Sequence, residues 1–539
     1  MLVVVGTYVL IAGVQLLSGV LLIQSHELDG IHAVAGALLV AGGNLPHVDF
    51  MTPLGIGAFA PVALFLVLGC SVGISFILAQ LLVALLLLPC IVWVAYSRLT
   101  RGWQELMAVT LIIMATALIA GGVERYLEIS MYYNRWAWCI AILISLLILL
   151  PARSDRDLGW FDALFIGIGL ALLVLIKMTF FVGMAPACAL YIFWGRDWRG
   201  ALLAGAATLL CLAIVTAYVE SPIYWLKYFE DLRSLVQSDS RPFPSDAKRF
   251  LQQFDTFVLL FVLVLSILRL WNTGSSRPAA CLLLLGPGFI YIAFQNWGND
   301  PLWLFPLALV MATLSPGGSD GVGNSDFSED RKSFQVIALV CLTAFAPLGL
   351  NLATSSLRML LSNRDNFYEF PLAGSDSSKM FLPATGFLVE QYDEQNTTGL
   401  LPPGWESRRH NITKAANSDI GFINFQGRPL PFCRSDRSFL WVNIARELQA
   451  LPEVRNNPVM LADAGDLLWL FADIQKTPGS AIWYYGGDYG LKSLNYLAVP
   501  KCPMNADARN SLLSEIQEQR IALELVRESD LYYLYKKTL

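Results

Sequence analysis

Long runs of apolar positions, separated by short charged loops, fill the first 353 residues of the chain. A helix needs about 20 apolar residues to cross the roughly 30 Å core of a bilayer, and segments 3–23, 74–96, 105–122, 200–218 and 335–353 meet or approach that length. The stretch 160–194 is long enough for two crossings and is broken only at Lys177. Shorter runs at 136–151, 254–271, 279–294 and 301–314 bring the expected total to about ten or eleven helices. The first run lacks a basic flank and a small-residue cleavage site, so it reads as a retained helix and not as a signal peptide. From residue 354 the pattern changes to polar turns such as Gly374-Ser375-Asp376 between short apolar runs at 467–471, 482–485 and 531–535, with a helical pattern over 505–526. This mixture predicts a compact α+β domain. The expected organisation is a mainly α polytopic membrane domain over 1–353, with a first loop at 24–52, and a C-terminal α+β domain over 354–539.

Composition agrees with the pattern. Hydrophobic residues make up 55% and charged residues only 15% of 539 positions, so lipid is the main solvent of this chain. A formal net charge of -5, without a basic stripe, removes nucleic acid from the partner list. The few basic residues sort by loop: Arg98/Arg101, Arg153/Arg156, Arg196/Arg199, Arg269/Arg277 and Arg331/Lys332 mark the cytoplasmic side. Alternation then puts 123–135, Lys177, 219–252, 295–300 and everything after about 354 outside. Loop 24–52 joins them if only one of the apolar runs 54–72 and 74–96 crosses fully, the other being re-entrant or interfacial. Seven of nine cysteines lie in apolar segments; Cys433 and Cys502 are the pair in the outer domain that could form a disulfide.

The first loop concentrates polar chemistry. It runs Ser25-His26-Glu27-Leu28-Asp29-Gly30-Ile31-His32, then Pro46-His47-Val48-Asp49-Phe50-Met51-Thr52-Pro53-Leu54-Gly55, and holds three of the four histidines. A span, an acidic loop, a short helix at 30–40, Gly42-Gly43 and this Pro46-His47 segment together resemble the first extracytoplasmic loop of C-type (GT-C) membrane glycosyltransferases. The bacterial group similar to protein O-mannosyltransferases and the lipid A aminoarabinose transferase has the nearest pattern. The resemblance implies an inverting hexosyl or pentosyl transferase of the cell envelope or of polysaccharide biosynthesis. Its donor would be a polyprenyl-phosphate-sugar, and its acceptor a glycan, lipid or protein.

Carried onto this chain, the resemblance implies Asp29 or Glu27 as the first-loop acid. Ile31-His32 stands where the family often has an aromatic residue, which leaves that choice open. The second acid is expected in loop 124–135, as Glu124 or Glu128, where the family often has Asp. A carboxylate can deprotonate the acceptor for in-line attack, and cations must stabilise the departing phosphate. Arg125, Arg135 and Lys177 are the candidate cations, His47 and Asp49 candidate substrate contacts, and Asn296 and Trp297 candidate sugar contacts. Some family members use a divalent cation, for which Glu27, Asp29, His47 or Asp49 would be the ligands; no metal site is assigned. HELDGIH does not match a zinc protease helix, because its histidines stand six apart and not one turn apart. The competing class is a transporter or an envelope-assembly protein with a ligand-binding outer domain. A transporter should show related halves and mid-span charge, and neither is evident in the sequence.

Overall fold

A computed structural model describes residues 2–25, 27–119, 126–153, 159–195, 197–238, 254–294, 300–315, 325–365, 367–383, 423–430 and 438–538. In chain order the first ten helices are α1 Leu2–Ser18, α2 Glu27–Ala41, α3 Ala60–Val67, α4 Val72–Arg98, α5 Arg101–Thr116, α6 Tyr132–Leu149, α7 Gly159–Ile176, α8 Met178–Gly195, α9 Trp198–Tyr218 and α10 Ile223–Gln237. Helices Phe254–Asn272, Ser276–Phe294, Leu304–Thr313 and Ser325–Leu361 follow. Among the described residues seven helices are long and apolar enough to cross a membrane, and Leu2–Ser18, Phe257–Asn272 and Leu304–Thr313 are shorter apolar helices. The protein is a multi-pass membrane protein.

The chain packs into two compact units. The helical unit comprises Met1–Ser18, Ile77–Ser221 and Arg241–Leu361. Within it, α6 is buried along its whole length, whereas only 11% of α9 is covered by protein. Leu202, Leu209, Leu210 and Ile214 on α9 are correspondingly exposed, as lipid-facing side chains should be. Small residues let helices touch: a Cβ on Gly167 of α7 would meet the Ala204 carbonyl of α9, and one on Gly288 would meet the backbone of Gly183 in α8. The apolar run 160–194 does break at Lys177, which stands between α7 and α8.

The second unit comprises Gly19–Phe76, Pro222–Ser240 and Ser362–Leu539. It differs from a tail domain starting at 354 because the first loop and α10 fold into it. The reason is backbone pairing: β1 (Leu21–Leu22) runs parallel to β3 (Met380–Pro383), which pairs antiparallel with β2 (Phe367–Glu369). Strands β4 (Ile423–Phe425) and β5 (Arg428–Leu430) form a hairpin. A four-stranded sheet in the order β6-β7-β9-β8 follows, from β6 (Val459–Leu461), β7 (Tyr496–Pro500), β8 (Leu523–Glu528) and β9 (Tyr532–Lys537). Helix Ala506–Glu518 packs Leu512, Leu513 and Ile516 into one core with Leu497 and Val499 of β7 and Met51 of the first loop.

Two sequence expectations change here. The apolar run 467–471, read as strand-like, forms a 3-10 turn at Leu468–Leu470, and 482–485 is irregular apart from the neighbouring Met51–Ala481 bridge. Pattern 505–526 is helix only to Glu518, because Arg520 at φ +53° turns the chain into β8. Run 54–72 contains α3, whose eight residues span about 12 Å at 1.5 Å per residue and are too short to cross a bilayer, in keeping with a single full crossing by the two apolar runs 54–72 and 74–96.

Candidate active site

The first turn of α2 carries Glu27 and Asp29. They do different things. Glu27 is buried, and its Oε1 accepts hydrogen bonds from the Ser438 amide at 2.8 Å and from the Ser438 hydroxyl. Ser438 is the residue preceding helix Phe439–Gln449, so the Glu27 carboxylate satisfies a donor at that helix start. Asp29, two positions on in the same turn, is half-buried. His32, one turn on, is fully enclosed: its Nε2 lies 3.3 Å from the Thr52 hydroxyl, and its ring meets Trp483 edge-on at 5.2 Å. Burial pushes its imidazole down to about 3, so it stays neutral.

His47 sits at φ +69° in the tight turn after α2. That turn is closed by the His47 amide on the Phe50 carbonyl at 2.8 Å and by the Leu45 amide on Asp49 Oδ2 at 2.7 Å. The backbone strain turns the imidazole into an aromatic slot, stacked on Tyr228 at 4.2 Å and edge-on to Tyr224 at 5.4 Å. Its Nδ1 lies 2.8 Å from Asp231 Oδ2, which also accepts from the Thr52 amide at 3.3 Å. Burial favours the neutral imidazole, against the pull of the Asp231 carboxylate. The carboxylate takes two donors here, so Nδ1 carries the proton. The buried Nε2 has no hydrogen-bond partner among the described residues. Asp49 faces outward, with Lys476 Nζ donating to its backbone carbonyl at 3.1 Å.

The helical unit assembles a second constellation. Glu128, Asn134, Arg135 and Lys177 are all buried. The Glu128 amide donates to the Leu118 carbonyl at 2.8 Å, and its Oε2 accepts from the Ser130 hydroxyl at 2.6 Å. Arg135, in the first turn of α6, donates Nη2 to the Ala117 carbonyl at 2.7 Å and Nη1 to the Ile119 carbonyl. These carbonyls lie just past the end of α5, where a helix leaves acceptors unsatisfied, so Arg135 caps α5 as well as bringing charge. Lys177 Nζ donates to Asn134 Oδ1 at 3.2 Å and stands 5.7 Å from the Tyr133 ring. Of the residues selected from sequence, Glu128 lies in the field of the Arg135 guanidinium, and Lys177 is bonded to Asn134, the residue before Arg135; all of them are buried.

Glu124, Arg125, Asn296 and Trp297 lie outside the described residues, as does Cys433; Cys502 is disulfide-bonded. Among the described residues no group of three or more His, Cys, Asp or Glu side chains is arranged to hold a metal. Sequence reasoning missed Asp231. The available signal was the spacing of Tyr224, Tyr228, Asp231 and Leu235, which puts all four on one face of α10, and all four are buried.

Fold and polar clusters together define a multi-pass membrane protein with buried charge at helix ends and a substantial α+β unit. No family model matches the chain, and no curated protein matches it in sequence. A solved structure described as "Crystal Structure of ArnT from Cupriavidus metallidurans bound to Undecaprenyl phosphate" aligns over 98% of this chain and 97% of its own, at 12% identity and a TM-score of 0.41. At that score the likeness carries no weight for fold or function.

Proposed function

We propose that the protein is an integral membrane glycosyltransferase of the GT-C type. It moves a sugar from a polyprenyl-phosphate-linked donor to a glycan, lipid or protein acceptor on the extracytoplasmic face. The observation that carries the proposal is the burial of three ionisable side chains, Glu128, Arg135 and Lys177, within an apolar helical unit. Ionised groups among membrane helices are expensive and are kept where an ion or a charged substrate group must be handled.

Sidedness supports the reading. Segments 19–76, 222–240 and 362–539 fold into one unit and so share one side of the membrane. Among the described residues six helices, α4 to α9, lie between the first and the second, and four lie between the second and the third. Connections on the opposite side carry Arg98/Arg101, Arg153 and Arg269/Arg277, the cytoplasmic signature.

In this reading Asp29, half-buried in the first turn of α2, is the base. Asp29 takes the proton of the acceptor hydroxyl or amine as that atom attacks the anomeric carbon. The bond from that carbon to the phosphate oxygen breaks, and the pair leaves with the polyprenyl phosphate. The negative charge gathering on that phosphate needs a cation; within the helical unit Lys177 is the residue assigned to that role, and Glu128 with Arg135 holds the start of α6 in place. The test is transfer of labelled sugar from a polyprenyl-phosphate donor in membranes carrying the wild type, Asp29→Asn, Glu27→Gln, Glu128→Gln and Lys177→Met at matched expression. Loss with Asp29→Asn and Lys177→Met, but not with Glu27→Gln, is expected. No wild-type transfer with any donor would overturn the proposal.

A further inference from the structure

At the arginine-bearing end of the helical unit the described residues enclose a cavity of about 540 Å³, unrelated to the cluster around Lys177. Trp93 and Arg98 of α4, the 148–152 segment after α6, Asp162 of α7, Tyr191 of α8, and Ser275 and Arg277 line it. Its charges are arranged unequally. Asp162 is used up within the wall: Arg98 Nη2 reaches its Oδ2 at 2.5 Å and the Trp93 indole donates to its Oδ1 at 2.8 Å. Arg277 has no ion pair among the described residues. Its Nη2 donates to the Tyr191 carbonyl at 2.9 Å, and its guanidinium lies 3.9 Å from the centre of the Tyr191 ring. That leaves two guanidiniums facing one carboxylate, and the Nε donors of both arginines are buried without a hydrogen-bond partner.

A buried donor left unsatisfied costs about 1–3 kcal/mol, more when charged. Positive loops need only solvated arginines to orient a membrane protein. Two arginines fixed in a wall beside a single carboxylate, one of them stacked on a tyrosine, exceed that need. The excess positive charge suits an anion. Guanidinium forks fit phosphate oxygens bidentately, and aromatic rims sit at headgroup depth.

We propose that this cavity binds the phosphate of an anionic lipid headgroup from the leaflet on the side of the arginine loops, with Arg277 as the main contact and Arg98 beside it. This site is independent of the transferase reading. The same phosphate chemistry could arrive as a free anion, so the experiment separates the two sources.

Purified protein is placed in nanodiscs of phosphatidylcholine with a minor fraction of phosphatidylglycerol, and the lipid retained on release is read by native mass spectrometry. The wild type should retain phosphatidylglycerol over phosphatidylcholine. Arg277→Gln should reduce that preference roughly fivefold, the weight of one basic side chain near an anionic lipid. Arg101→Gln removes an exposed arginine at the start of α5 and should leave it unchanged. Should Arg277→Gln fail to fold, Leu314→Trp fills the same cavity without touching charge and should reduce retention as much. Equal retention by wild type and whichever of these variants folds, or no preference for phosphatidylglycerol, overturns the lipid site. In phosphatidylcholine-only discs, inorganic phosphate that raises the melting temperature of the wild type but not of the variant, with no lipid preference, would reassign the cavity to a soluble anion.

Discussion

Buried carboxylates occur in both units, and their partners differ in kind. Asp463 in the tail unit accepts from the amides of Ala464, Met504 and Asn505 and from the Trp441 indole, all at 2.7–2.8 Å. Glu128 in the helical unit accepts from a serine hydroxyl and lies in the field of the Arg135 guanidinium. Backbone amides cannot move without unfolding the loops that bear them, so Asp463 is a staple between segments. Side-chain hydroxyls and cations can exchange a proton or a phosphate oxygen, so the setting of Glu128 can take part in chemistry. The kind of partner, more than burial alone, separates scaffold from site.

The sharpest way to break this comparison is activity. Lys177→Met should lower labelled-sugar transfer by about 10²–10³-fold, the usual loss when a stabiliser of developing charge is removed. Asp463→Asn, measured per folded molecule, should leave transfer unchanged. Equal losses in both would erase the distinction.

Stability gives the converse. Asp463→Asn should destabilise the protein by about 3 kcal/mol in thermal or denaturant unfolding, since it disturbs a carboxylate fixed by four charge-assisted hydrogen bonds. A loss below the error of the measurement would mean that the staple is not needed.

Within α2 the same contrast is drawn between near neighbours. Glu27→Gln should cost about 1–2 kcal/mol by weakening the Ser438 cap while transfer persists, whereas Asp29→Asn should lower transfer by about 10²-fold. Transfer lost with Glu27→Gln at unchanged stability would exchange the two roles.

The most gradual effect is a pH slope. Unfolded, His32 titrates near 6.5, and burial holds it to about 3 when folded. Protons therefore bind the unfolded chain first, and the stability this residue contributes is lost as pH falls from 6.5 towards 3. The slope is at most about 1.4 kcal/mol per pH unit. His32→Phe, which keeps the edge-on packing against Trp483, should flatten the melting temperature over that window; an unchanged profile would show that His32 is solvated when folded.

How far the sequence could be read follows from the range of each interaction. The break at Lys177 was legible because one cation in a run of 35 apolar positions, 160–194, has no other local explanation. Glu128 and Arg135 were legible as polar residues beside a span. Asp231 was not: it meets His47 from 184 positions away, and the Ser438 that occupies Glu27 lies 411 positions on. Spacing rules act within a helix or hairpin and carry no information about such encounters.

Apolar periodicity by itself determined that the chain crosses a membrane many times, and the shift to polar turns determined that a mixed α and β region follows. It could not tell α6 from α9, because lipid tails and protein interior are equally apolar and favour the same side chains. Only packing decided that α6 is enclosed while α9 faces lipid, that the first loop and α10 join the tail, and which acids are staples. Those outcomes depend on which surfaces fit and which backbone edges pair, and no single segment encodes its partner.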